Sequence, residues 1–274
     1  MSRKRLAEKE EKSVNIEVKV EKKIDDSRKR RRNSDENPEN ISFPEEESLK
    51  NDLSTEISPD YKKIPSRDSK GRLFFEDFPA FRPNLTPEEV LRLGSFGGTY
   101  FRPIYSAVTK KRYGSEVWKE LPPSWLKGLD VKLQVANPVY DKNQNKYKVK
   151  SGASLEEWEG SNWIKDCDPY GWFQWYCRFY QGRRCADDER QVSRGLSLFG
   201  PTGRWLRNLS NKIVASVEAG GMIAPGNPGY PGKKTLESEV ENYSISPVIR
   251  QTLQHWGYKI SLHDFKKPRP FKTE

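Results

Sequence analysis

The sequence predicts a mainly α (α+β) protein: one compact, Trp-rich helical domain with a single β-hairpin, preceded by a disordered charged tail. Three observations carry this reading. All eight tryptophans lie between Trp118 and Trp256, whereas residues 1–70 hold only two aromatics, Phe43 and Tyr61. Helix-start signals, each a capping residue followed by proline or acids, recur through the downstream part. The hydrophobic content of 34% is low for a globular chain but is concentrated where the tryptophans are. A stretch of about 200 residues buries enough surface to need no disulfides.

The tail, residues 1–70, carries 18 Lys+Arg and 17 Asp+Glu in alternating blocks with serine, asparagine and proline. So few of its side chains can pack that burial cannot offset the entropy of ordering, and a transient helix over residues 2–25 is the most local order expected. Within it, Arg28, Lys29, Arg30, Arg31 and Arg32 form five consecutive cations. An extended run of this kind suits the acidic groove of an import receptor or a nucleic-acid backbone, which predicts a nuclear protein, also present in the cytoplasm. Ser34 follows Arg31-Arg32-Asn33 and is a candidate phosphosite. A phosphate there would place about −1.5 to −2 charges beside the cations.

Order is expected from residue 71, with Leu73-Phe74-Phe75 the first aromatic group. Thr86-Pro87-Glu88-Glu89 combines a capping hydroxyl, proline at the first helical position and acids facing the helix dipole, so a short helix runs to Gly94. Gly94 to Thr99 follows that helix and precedes no clear one. This is the wrong order for a phosphate-binding loop and predicts a tight turn. Residues 138–149 carry strand-like residues around Asp141-Lys142-Asn143-Gln144-Asn145, where the hairpin is placed. Ser154-Leu155-Glu156-Glu157 is a capping box opening a second short helix through Trp158. Asp168-Pro169 caps an aromatic helix ending at Gly182. Asp187-Asp188-Glu189 opens a helix toward Phe199, another runs from Arg204 to Glu218, and Ser246-Pro247 starts the last, which stops at Gly257. Residues 219–244 are rich in glycine and proline and read as a surface loop.

The aromatic helix holds Trp172, Trp175, Tyr176 and Phe179 on one face and Tyr170, Phe173, Cys177 and Tyr180 on a second. A helix apolar over so much of its circumference belongs at the centre of its domain. Its polar stripe is Gln174, Arg178 and Gln181. A buried arginine is costly alone, so Arg178 needs a carboxylate or a bound anion: either it is a salt-bridged arginine in the core, or with Gln174 it marks a polar slot lined by Trp172 or Trp175.

Residues 71–274 carry 31 Lys+Arg against 22 Asp+Glu, so the chain's net charge of +10 sits mostly on the domain. Such a surface favours polyanions. The densest cations are Arg183, Arg184, Arg190, Arg194, Arg204 and Arg207, interleaved with Trp205 and the aromatic helix. Phosphate contact and base stacking need that mixture. The alternative is that Asp187, Asp188 and Glu189 neutralise the nearest arginines and solvent takes the rest.

Other chemistry is weakly represented. Cys167, Cys177 and Cys185 are an odd number without a secretory leader, which predicts a reducing compartment, and their spacing lacks the close pairs of a metal site. No cofactor is implied. No apolar run reaches the roughly 18 residues needed to span a membrane. Gly226 to Thr235 only superficially resembles a P-loop: its spacing is wrong at both ends and its prolines supply no backbone donors. His255 beside Trp256 reads as a packed residue, and His263 with the adjacent Asp264 does not make an orienting dyad. Carboxylates are plentiful, but none is tied to a cleft.

The strings at 81–91 (FRPNLTPEEVL), 94–104 (GSFGGTYFRPI), 168–176 (DPYGWFQWY) and 246–253 (SPVIRQTL) resemble a family of uncharacterised proteins, mainly fungal. The resemblance covers residues 72–265. It implies a single intact domain and an early-eukaryote source, and brings no activity or site residue with it. It also implies a tryptophan after the arginine near position 194, where this chain has Gly195, and so a helix weakened or bent there. The function expected is that of a non-enzymatic nuclear protein whose basic, aromatic domain contacts nucleic acid or a chromatin partner. The alternatives are a protein-interaction module and an enzyme with a pocket at Arg178.

Overall fold

The first elements follow from local capping. The computed structural model describes residues 63–221 and 234–265, all within the unit Glu56–Glu274. The tail to residue 62, with Arg28 to Arg32 and Ser34, lies outside the described residues, as does most of the P-loop-like stretch. Strand pairing begins before the expected boundary: β1 (Ser66–Arg67) is antiparallel to β2 (Leu73–Phe74). Helix α1 (Pro87–Leu93) starts at a complete capping box, the Thr86 side chain accepting from the Glu89 amide and the Glu89 carboxylate from the Thr86 amide.

The hairpin is not where its turn residues suggested. Strands β3 (Ile104–Ser106) and β4 (Lys111–Tyr113) form it. Residues 138–149 instead wrap around Asn145, which is fully buried. Its side chain accepts from the Gly97 amide at 2.8 Å and donates to the Val149 carbonyl at 2.7 Å and the Tyr140 hydroxyl at 2.8 Å. Side-chain bonds thus take the place of a strand ladder, and only a 3-10 turn at Lys142–Gln144 forms.

Short helices α2 (Pro123–Leu126) and α3 (Val131–Gln134) precede α4 (Leu155–Gly160), which has the expected capping box at Ser154 and Glu157. The aromatic helix α5 spans Trp172–Tyr180, and Phe173, Trp175, Tyr176, Cys177 and Phe179 are all 0% exposed, so it is the centre of the core. Asp168 does not cap it. The N-cap is Gly171, and the Tyr100 hydroxyl takes the amides of Phe173 and Gln174 at 2.8 and 3.1 Å.

Helix α6 (Asp188–Phe199) runs unbroken through Gly195, so the bend expected there is absent. Gly195 is buried, and a β-carbon on it would lie 3.0 Å from the Phe81 ring and 3.2 Å from that of Trp172. Close packing of the helix on the aromatic core accounts for the small residue. Helix α7 (Arg204–Gly221) and helix α8 (Leu236–Val240, capped by Thr235) extend into both ends of the expected 219–244 loop. Helix α9 (Pro247–His255) closes the order. The domain is mainly α with two small two-stranded sheets. Among the described residues, no helix is long and apolar enough to cross a membrane.

Candidate functional site

A line of ring contacts runs outward from the core: Phe179 stacks on Trp175 (4.5 Å between centroids), and tilted contacts join Trp175 to Trp172 (4.9 Å) and Trp172 to Trp256 (4.0 Å). An arginine stands at each end. The Arg184 guanidinium carbon lies 3.9 Å from the Phe179 centroid, and that of Arg194 lies 5.3 Å from Trp256. Such aromatic contacts add about 0.5–1.5 kcal/mol per pair beyond area burial.

The half-buried Arg178 and Arg183 are consumed by acids. Arg178 donates to Glu120 at 2.6 Å and to Asp168 at 3.0 Å, and Arg183 grips both Asp168 oxygens at 2.8 and 2.5 Å. Gln174, 1% exposed, accepts from the Tyr170 amide and donates to both Glu120 oxygens. Two guanidinium groups thus face two carboxylates. Burial pushes the Asp168 carboxyl up while Arg183 and Arg178 pull the other way. Burial opposes charge on Arg178 and Arg183 as well, but the carboxylates outweigh it and hold both above the usual arginine range. Gln174 and Arg178 both spend donors on Glu120, as a salt-bridged core arginine does, and not on an open polar slot.

The surface arginines divide. Arg184 pairs with Asp77 at 2.6 Å, and Arg190 with Asp187 through two hydrogen bonds. Asp188 turns inward, accepting the Trp175 indole N–H at 2.8 Å. Arg194 differs. Among the described residues no carboxylate lies within ion-pair distance of it. Its guanidinium sits 5.3 Å from both the Trp163 and the Trp256 rings and donates to Gln191 Oε1 at 3.0 Å. Burial and the neighbouring Arg190 pull it down to about 10, so it remains a cation at neutral pH. Both Arg190 and Arg194 approach the Trp163 carbonyl, as their i, i+4 spacing predicts, and Trp163 as a residue is 44% exposed. Trp163 and Trp256, far apart in sequence, had no signal linking them to Arg194. Arg204 and Arg207 are exposed on α7, with Arg204 5.1 Å from the Trp205 ring.

Two further expectations are settled by contacts. His255 is buried and stacked on Phe96 at 4.1 Å, with Nε2 accepting from the Phe96 amide at 2.9 Å. The Asp264 carboxylate accepts from Ser261 and from the Tyr258 hydroxyl. Cys167, Asp168 and Cys185 bring donor atoms within 4.8 Å of one another, a convergence their spacing does not reveal. Comparison with protein-family models, curated proteins and solved structures gives no match, so geometry alone carries the functional reading.

Proposed function

We propose that this is a non-enzymatic nuclear protein whose domain docks a nucleic-acid strand, or a comparable phosphate-rich partner, on the surface formed by Trp163, Arg190, Arg194 and Trp256. The observation that carries the reading is Arg194: a partly buried cation flanked by two indoles, with no carboxylate in ion-pair distance among the described residues. Desolvating a guanidinium is costly unless an anion compensates it, and a docked phosphate supplies that charge. Trp163 offers an exposed face on which a base can stack, a contact worth about 1–3 kcal/mol per base. The domain's excess of Lys+Arg over Asp+Glu, 31 to 22, adds long-range attraction, and the run from Arg28 to Arg32 supports nuclear import.

The test is fluorescence anisotropy with a single-stranded oligonucleotide over a salt series. Binding that weakens steeply and log-linearly with salt, with quenching of tryptophan emission, is the expected result. A flat salt response, or no binding at about 50 mM salt, overturns the proposal. Recovery of a nuclease-resistant protein partner in its place would favour an interaction module.

A further inference from the structure

Cys167 and Cys185 are 18 positions apart in sequence, yet their sulfur atoms lie within 4.8 Å. Each sits on a pinned turn. Cys167 lies in the turn closed by the Lys165–Asp168 bridge, and its carbonyl accepts from Arg178 at 2.6 Å. The Cys185 amide and thiol both donate to the Asp188 carboxylate, at 2.9 and 3.3 Å. Both residues are half-buried, so a small solute can reach them, whereas Cys177 is sealed in the core. The charges facing the pair are Arg183, Arg178, Asp168 and Asp188. Arg183 also carries a buried Nε–H without a hydrogen-bond acceptor.

A divalent metal is a poor occupant, because both Asp168 oxygens are already held by Arg183 and Arg178. A second cation would stand beside two guanidinium groups. Of the charges facing the pair, Arg183 favours a thiolate on Cys185, while Asp188 opposes it.

We propose that Cys185 and Cys167 are a peroxide-reactive pair, Cys185 the nucleophile and Cys167 the resolving thiol, which close to a disulfide across the base of the aromatic helix. The asymmetry between the two agrees with this. The proximity of the Cys167 thiol, reinforced by Arg183, lowers the Cys185 thiol against burial and Asp188, while the proximity of Cys185 and burial raise that of Cys167. The Cys185 thiolate attacks one oxygen of hydrogen peroxide, the O–O bond breaks, and hydroxide leaves and is protonated by solvent. The resulting sulfenic acid is attacked by the Cys167 sulfur; the S–S bond forms and the hydroxyl departs as water with the Cys167 proton. Two thiols are oxidised by two electrons, and one peroxide becomes two waters. The sulfurs must close to about 2.05 Å.

The test uses the full chain, reduced and then exposed to stoichiometric hydrogen peroxide, with peptide mapping by mass spectrometry. The expected result is a 167–185 disulfide with Cys177 unmodified. Because the bond closes a loop containing the whole helix, Tm should rise by about 6–12 °C and return on adding dithiothreitol. In Cys167→Ser the sulfenic acid on Cys185 should persist and be captured by dimedone; in Cys185→Ser no such adduct should form on Cys167. Failure of the wild-type chain to form the 167–185 link, or equal oxidation of all three cysteines, overturns the proposal. So does a stoichiometric zinc ion retained through dialysis and released by thiol alkylation. The mapping on unmutated protein stands whether or not the variants fold.

Discussion

The Tyr100 hydroxyl accepts the Phe173 amide at 2.8 Å and so serves as the cap of the central helix α5. It also accepts from Gln174 and donates to the Tyr170 carbonyl at 2.5 Å, so one buried phenol satisfies three backbone groups. Tyr100→Phe keeps the ring and strands two buried amide hydrogens. The expected loss is about 2–4 kcal/mol, read in urea as a lower midpoint at unchanged slope.

The buried Asp168 should matter far more than any surface acid. Asp168→Asn leaves Arg183 without its only ion-pair partner among the described residues and Arg178 with Glu120 alone. A cost of about 3–5 kcal/mol is expected. Glu116→Gln, which breaks an exposed pair with Lys119, should change stability by no more than about 0.5 kcal/mol. Equal effects from the two substitutions would contradict the assignment of the buried network.

Burial depresses His255 from 6.5 to about 3. The unfolded chain therefore takes up a proton as pH falls below about 6.5, while the folded protein does not until near 3. Its stability contribution is complete above about 6.5 and is lost as pH falls through that window, at about 1.4 kcal/mol per pH unit. Denaturation at pH 6.5 and 5.0 should differ by about 2 kcal/mol, and His255→Gln should remove most of that difference.

Gly98 has φ +77°, and a β-carbon there would lie 2.0 Å from the Leu133 carbonyl oxygen. Gly128, at φ +82°, has nothing within 4 Å of that position. Gly128→Ala should cost only the left-handed backbone term, about 1–2 kcal/mol. Gly98→Ala should add a steric clash with backbone and cost at least about 3 kcal/mol by thermal or urea denaturation.

For binding, Arg194→Ala should weaken oligonucleotide affinity by about 5–10-fold and lower the salt slope by about one. Arg184→Ala, which removes a side chain already paired with Asp77, should leave affinity within about twofold. The ordering of these two variants in the salt-series assay separates an Arg194-centred surface from diffuse positive charge.

The features legible before folding are local or compositional. The helix starts at Thr86 and Ser154 were legible because a capping box is complete within four residues, and the central place of Trp172–Tyr180 because apolar side chains on most faces leave a helix no other place. Tertiary structure decided the rest. It moved the hairpin to 104–113, since Asn145 meets Gly97 across the fold and holds its own segment out of a strand. It sorted the arginines, since Glu120 lies 58 positions from Arg178 and Asp77 107 from Arg184, and no spacing rule foresees either pair. By the same folding it set Arg194 between Trp163 and Trp256 and brought Cys167 to Cys185. A capping bond is won within one turn of chain, whereas the use to which a charge or thiol is put depends on whatever the fold brings beside it.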